Sequence, residues 1–168
     1  AIPGAAEFVR RLREREMPEF REFYEIFDRV GNNPRPGVIN PPASRRWVIT
    51  SEVKPVQSDA IGSEIEAVKA GIAAAGERIE NFFFPVLGPG WLDHFIYNEH
   101  YKTDEEYVFA LADVLHEEYR AVVDAGFVLQ VDDPGLPDWW DMIKPAMSVE
   151  DYVNKFATMR VDAVNHAL

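Results

Sequence analysis

The sequence predicts an α/β fold, an incomplete section of a (β/α)8 barrel with parallel strands and crossover helices. Three observations predict it. Short β-prone runs alternate with helix-length amphipathic segments, which implies βαβ crossovers and a parallel sheet. The helices carry start and stop signals of their own. Only three convincing strands occur, whereas a closed TIM barrel needs about eight, so the chain reads as part of something larger.

The elements follow in order. Residues Ala5 to Glu16 and Glu19 to Val30 read as helices, with Phe8 and Leu12, then Phe20, Phe23 and Phe27, at helical spacing and Pro18 between them. The stretch from Gly31 to Pro42 holds four of the twelve prolines and reads as a surface loop, either a connector or a substrate lid. Trp47-Val48-Ile49-Thr50 is the first strand. Ser58 opens a helix with Ile61, Ile65, Val68 and Ile72 on one face, and Gly76 closes it. Asn81 to Val86 is a second strand, apolar throughout and so expected to be covered on both faces. The turn Gly88-Pro89-Gly90 follows; it is too short to be a phosphate loop, although its amides can approach an anion.

The next helix is the clearest element. Thr103 and Glu106 make a capping box, and Val108, Leu111, Ala112, Leu115, Tyr119 and Val122 form one stripe that ends at Gly126. Phe127 to Asp132 is the third strand. Ser148 and Asp151 cap a last helix carrying Tyr152, Phe156, Met159 and Ala163. The expected organisation is one partial catalytic barrel domain over residues 1–168. Within it, residues 1–46 form a helical and loop insertion and residues 47–168 the βα units.

Composition narrows the function. The chain has 168 residues, 47% hydrophobic and 12% aromatic, enough for a sizeable core. Its formal net charge of −12 argues against nucleic acid and against anionic membrane surfaces as partners. The basic cluster Arg10, Arg11, Arg13 and Arg15 is interleaved with Glu7, Glu14 and Glu16 and reads as a solvated helix face. No run approaches a membrane span and no signal peptide is visible, so a cytoplasmic enzyme or a piece of one is expected. The start at Ala1 suggests trimming.

Candidate chemistry gathers on the third strand. Alternation sends Phe127, Leu129 and Val131 toward helices and Val128, Gln130 and Asp132 to the interior, with Asp132 at the C-terminal end where barrel enzymes place functional residues. Asp132 reads as a site residue or, with Asp133 before Pro134, as part of an Asx turn. Adjacent in a strand, the two carboxylates point to opposite faces, so a catalytic dyad is not expected. His94, His100, His116 and His166 have no metal-ligand spacing, and His116 and His166 read as surface residues. Trp91, Phe95, Tyr97 and Tyr101 read mostly as core. Trp139 and Trp140, in the loop after Asp132, either wall a pocket or pack on a helix.

These residues resemble a known family. Asn98-Glu99-His100-Tyr101, Asp104-Glu105-Glu106-Tyr107 and the run from Glu117 through Asp124-Ala125-Gly126 to Gln130-Val131-Asp132 are similar to the cobalamin-independent methionine synthase family. The likeness is greatest to its shorter barrel-only homologues, which include alkyltransferases acting on thiols. Phe84-Pro85-Val86-Leu87-Gly88-Pro89-Gly90 resembles the preceding strand and turn, and Trp47-Val48-Ile49 an earlier strand. The resemblance implies substrate binding at Asp132, which would meet the amino group of a thiol amino acid, with Gln130 in the same Gln-x-Asp strand. It also implies zinc in the complete enzyme, held by a His-x-Cys motif, an acidic residue and a second Cys, which makes the acceptor thiolate.

This chain has no cysteine, and the family's His-x-Cys strand would follow the helix that ends at Leu168. The expectation is therefore part of a methyl or alkyl transferase to a thiol, with substrate-side residues but no catalytic or metal-binding ones in this chain. Its partners would be a small-molecule thiol, an alkyl donor, and a companion chain or the rest of the polypeptide. The alternatives are a non-catalytic binding or structural subunit with barrel topology and, third, a carboxylate-dependent hydrolase or lyase.

Overall fold

The computed structural model describes residues 14–31, 47–55, 59–75, 82–143 and 147–168. The predicted helix from Ala5 to Glu16 and the loop from Gly31 to Pro42 lie mostly outside these residues, as do Ser58, Gly76 and Asn81.

The described elements are α1 (Arg21–Gly31), β1 (Trp47–Ile49), α2 (Ala60–Ala75), β2 (Phe83–Leu87), α3 (Pro89–Phe95), β3 (Ile96–Asn98), α4 (Asp104–Asp124), β4 (Val128–Asp132), α5 (Gly135–Ile143), α6 (Val149–Tyr152) and α7 (Thr158–Ala167). A π-helical turn, Val153–Ala157, joins α6 to α7 in one continuous helical run.

Strand β2 runs parallel to β4, with Phe83 opposite Val128 and Leu87 opposite Asp132, and α4 lies in the crossover between them. The expected wall through Trp47, Asn81 and Phe127 is not formed. β1 pairs instead with β3, parallel, Trp47 opposite Ile96 and Ile49 opposite Asn98, so the described strands make two two-stranded sheets and no closed barrel. The reason is local. β3 is three residues long and abuts α3, too short to show a strand period, yet its free edge accepts β1.

The core lies on one side of the β2–β4 pair. Phe84 and Val86 point into it, and Leu129 and Val131 pack beside them against Ile65 of α2, the α4 stripe, and Ala163 and Ala167 of α7. Each of the six predicted α4 stripe residues is buried, and full burial of a Val or Leu is worth about 1.5–3 kcal/mol. The opposite face is open: Phe83, Leu87 and Val128 are 56, 43 and 65% exposed. Coverage of β2 on both faces, expected from its apolar run, is thus corrected. The strand alternates, and helices line one face only among the described residues.

Local signals set the element ends. Thr103 Oγ1 accepts from the Glu106 amide at 3.1 Å, and Glu106 Oε2 accepts from the Lys102 amide at 3.0 Å, which anchors the start of α4. Gly126, at φ +89°, supplies the left-handed step into β4. Ser148 Oγ caps α6 through the Asp151 amide at 3.1 Å. The segment after Asp132, expected to be a loop, is the helix α5. Pro137 stands in its first turn, where a missing N–H leaves no bond unmade.

Candidate functional site

The C-terminal ends of β2 and β4 come together with the starts of α3 and α5. Gln130 and Asp132 lie on the open face of β4, both exposed, and the Gln130 Nε2 donates to Asp132 Oδ1 at 2.9 Å. The Asp132 carbonyl accepts from the Gly88 amide at 2.8 Å, which ties the end of β4 to the start of α3; Pro89 and Gly90, expected in a turn, are the first two residues of that helix. No cation faces Asp132 among the described residues; its side-chain partner is Gln130.

Asp133 turns the other way. Its side chain sits so close to Gly88, Gly90 and Gly135 that a Cβ added at any of them would lie 2.8, 2.7 or 3.1 Å from a carboxylate oxygen. Both oxygens are shut off from solvent and neither makes a hydrogen bond of good geometry. Burial therefore pushes the Asp133 carboxyl above its ordinary pKa, although Arg160 and the amides of Gly135 and Gly90 pull it down. The anion approached by the glycine turn is the chain's own side chain.

Close by lies Arg160, only 1% exposed. Its guanidinium pairs with Asp93 of α3, donates from Nη1 to the Phe156 carbonyl at 3.3 Å, and stacks 5.0 Å from the Trp139 ring centre. Trp139 Nε1 in turn donates to Asp93 Oδ1 at 3.3 Å, and the Tyr152 hydroxyl donates to the Leu136 carbonyl. Asp93 is pushed up to about 6, because burial outweighs the pull of Arg160 and Trp139. Burial, with Asp93 and Tyr101 nearby, also pushes the Tyr107 phenol up to about 12. The guanidinium thus pairs with Asp93 and reaches Asp133 only through its charge, and its Nε has no hydrogen-bond partner.

Tyr152, Phe156, Arg160, Ala163 and Ala167, spaced four, four, three and four, share one stripe of this helical run, and all but the partly buried Phe156 are buried. That spacing is the signal in the sequence that could have singled out Arg160, a charge on an otherwise apolar stripe. Asp93 has no comparable signal, since its partner is 67 residues away.

Other candidates have local duties. Asn98 Oδ1 accepts from the amides of His100 and Tyr101, and Tyr101 Oη accepts from the Val53 amide at 2.8 Å, so the Asn98–Tyr101 motif builds a turn. His116 is half-buried rather than exposed; its Nδ1 donates to the Ala167 carbonyl at 2.9 Å. His166 is exposed and donates to Asp113 at 2.7 Å. The side chains of His94 and Phe95 lie outside the described residues. Tyr97 is exposed and Trp91 only partly buried, so the aromatic cluster is less of a core than expected. Trp139 packs on the helical run with Tyr152 rather than walling a pocket. An open depression lined by His116, Tyr119, Arg120, Val123, Asp124, Leu129 and Leu168 does not reach Asp132 or Asp133.

The arrangement offers one exposed carboxylate at a strand end, oriented by an amide, and one buried carboxylate beneath it. The two do not converge on a common point, so they form no acid–base dyad. The sequence has no cysteine to supply a thiolate, and among the described residues no three His, Asp or Glu side chains gather where a metal ion could be held.

No family model matches this chain, and no solved structure matches it. Curated relatives do match over part of the chain. It is 38% identical over 58 residues to a methionine synthase of Sulfolobus acidocaldarius and 36% identical over 58 residues to one of Sulfurisphaera tokodaii. A methionine synthase of Saccharolobus islandicus is 34% identical over the same length. The matched stretch is 34% of this chain and spans only 17 to 18% of the length of those relatives. The chain thus carries a partial likeness to archaeal methionine synthases on a mixed α/β framework of parallel strand pairs.

Proposed function

We propose that this chain is part of a methionine synthase-like transferase that moves a methyl or alkyl group onto the sulfur of a thiol acceptor. In this reading Asp132, oriented by Gln130, receives the acceptor's amino group. The observation that supports it most is the Gln130–Asp132 pair at the C-terminal end of β4, on the face that no helix covers. Once further strands cover that face, an unpaired carboxylate there would cost several kcal/mol of lost hydration, and an ammonium group relieves the cost. Leu87, opposite Asp132 in register and 43% exposed, offers an apolar neighbour for the acceptor's methylenes. The partial similarity to methionine synthases points to the same chemistry.

Zinc is expected of the complete enzyme, and its ligands would come from outside this chain. A companion polypeptide, or more of the same one, would supply them along with the missing wall. The surface for such strands is the face that exposes Phe83, Leu87 and Val128.

Homocysteine is the probe, because adding a methyl group to its sulfur gives methionine. The test titrates L-homocysteine into the native assembly, this chain with the strands that complete it, alongside Asp132→Asn and with both melting temperatures. Acceptor binding should weaken by about tenfold or more while the melting temperature moves by no more than about 2 °C. Unchanged binding with a large loss of stability would make Asp132 a structural residue and overturn the reading.

A further inference from the structure

The Asp132-Asp133 pair sits where two strands end and two helices begin. Only Asp132 is available to a ligand; the oxygens of Asp133 are sealed. A buried carboxylate without a good hydrogen bond is expensive, and nothing in turn formation requires one. Asp133 nonetheless touches every element that frames the mouth. Its Cβ and Oδ2 lie against Gly88 at the end of β2, its Oδ2 against Gly90 in the first turn of α3, and its Oδ1 against Gly135 at the start of α5. The Gly90 carbonyl closes on Gly135 as well, so tightly that a Cβ at 135 would meet it at 2.8 Å. The stem of Arg160 backs Gly90, with Cδ and Cγ at 3.0 and 3.1 Å from the position of a Cβ there. Absence of a side chain at these three glycines is what makes room for the carboxyl.

We propose that Asp133 is a positioning residue: wedged among Gly88, Gly90 and Gly135, it fixes the end of β4 so that Asp132 faces the open side. Successive side chains in a strand point opposite ways, so anchoring residue 133 inward determines that residue 132 points outward. The Gly88 amide then reaches the Asp132 carbonyl at 2.8 Å, and the Gln130 amide reaches its carboxylate at 2.9 Å. The wedge acts through shape rather than through charge. The upward push that burial gives the Asp133 carboxyl agrees with this, since the protonated form is tolerated there.

The inference rests on the reading of Asp132 as the acceptor contact, but its main readout does not. Amide hydrogen exchange at Gly88, measured by NMR on the 168-residue chain, reports the end of β4 directly. Asp133→Ala should raise Gly88 exchange by about tenfold or more relative to amides in the middle of α4, such as those of Leu111 and Leu115. Asp133→Asn, which keeps the shape, should stay within about threefold of wild type. Unchanged Gly88 exchange in the alanine variant would overturn the proposal, as would an asparagine variant no better protected than alanine. If the alanine variant does not fold, Asp133→Asn and Asp133→Ser decide: faster Gly88 exchange in the serine variant supports the wedge, and equal exchange in the two overturns it.

L-Homocysteine binding in the native assembly separates the two claims. Weakened binding in both Asp132→Asn and Asp133→Ala supports both. Unchanged binding in Asp132→Asn sinks the acceptor reading, while Gly88 exchange still decides the role of Asp133.

Discussion

Arg160 of α7 and Asp93 of α3 form an ion pair in which 1 and 7% of the side chains are exposed. The pair joins two helices 67 residues apart in sequence, and Trp139 of α5 contacts both partners. Three helices are thereby tied together behind the mouth of β2 and β4, and the Arg160 stem and Asp133 both close on Gly90.

Removal of the guanidinium should be severe. Arg160→Met leaves Asp93 buried without its cation, and losing one partner of a buried pair costs about 3–5 kcal/mol. Urea denaturation of the variant should show that loss. Arg160→Met combined with Asp93→Leu should recover part of it, because the stranded charge is gone. A double variant as unstable as the single one would mean that packing of the Arg160 stem, not charge, makes the contribution.

The pH dependence has a definite sign. Asp93 is raised from 3.8 to about 6 in the fold, so the folded protein holds its proton where the unfolded chain has lost it. That contribution to stability, about 3 kcal/mol, is full below the unfolded value and is lost as pH rises through about 6. Asp133 and Glu118, both raised by burial, act in the same direction, and Asp151, lowered by Ser148 and Lys155, acts in the opposite one. Melting temperatures from about pH 4 to 7 should therefore decline less in Asp93→Asn than in wild type. Equal slopes would remove Asp93 from the account.

Metal content gives an independent check. The chain has no thiolate, and the described residues hold no convergent set of donors, so zinc should remain far below one per chain after dialysis. Elemental analysis would measure it. Close to one tightly held zinc per chain would show that donors outside the described residues complete a site.

Local features were legible in the sequence. The α4 stripe, its Thr103–Glu106 cap, the Gly126 stop and the alternation of β4 follow from near-neighbour spacing, and each is present as read. The partition of β4 that sends Leu129 and Val131 to the helices and Gln130 and Asp132 to the other face was legible for the same reason: a strand has a period of two. Four features were not. β3 is too short to show a period, α3 starts inside what reads as a Gly-Pro-Gly turn, α5 hides behind two prolines and a glycine, and the apolar run of β2 looked covered on both faces because periodicity does not say what lies opposite.

What the sequence determined by itself was the set of helices with caps, the α/β class, the absence of thiolate ligands and the face on which Asp132 stands. Tertiary structure alone decided which strands pair, that β1 chooses β3 over β2 or β4, and that Asp93, Asp133, Trp139 and Arg160 meet. The physical reason is separation along the chain. Caps and stripes are made by residues within a turn or two of each other, whereas the buried ion pair and the glycine cradle close contacts across distant segments. Only the packed arrangement of α3, α5 and α7 removes the water that would otherwise separate them.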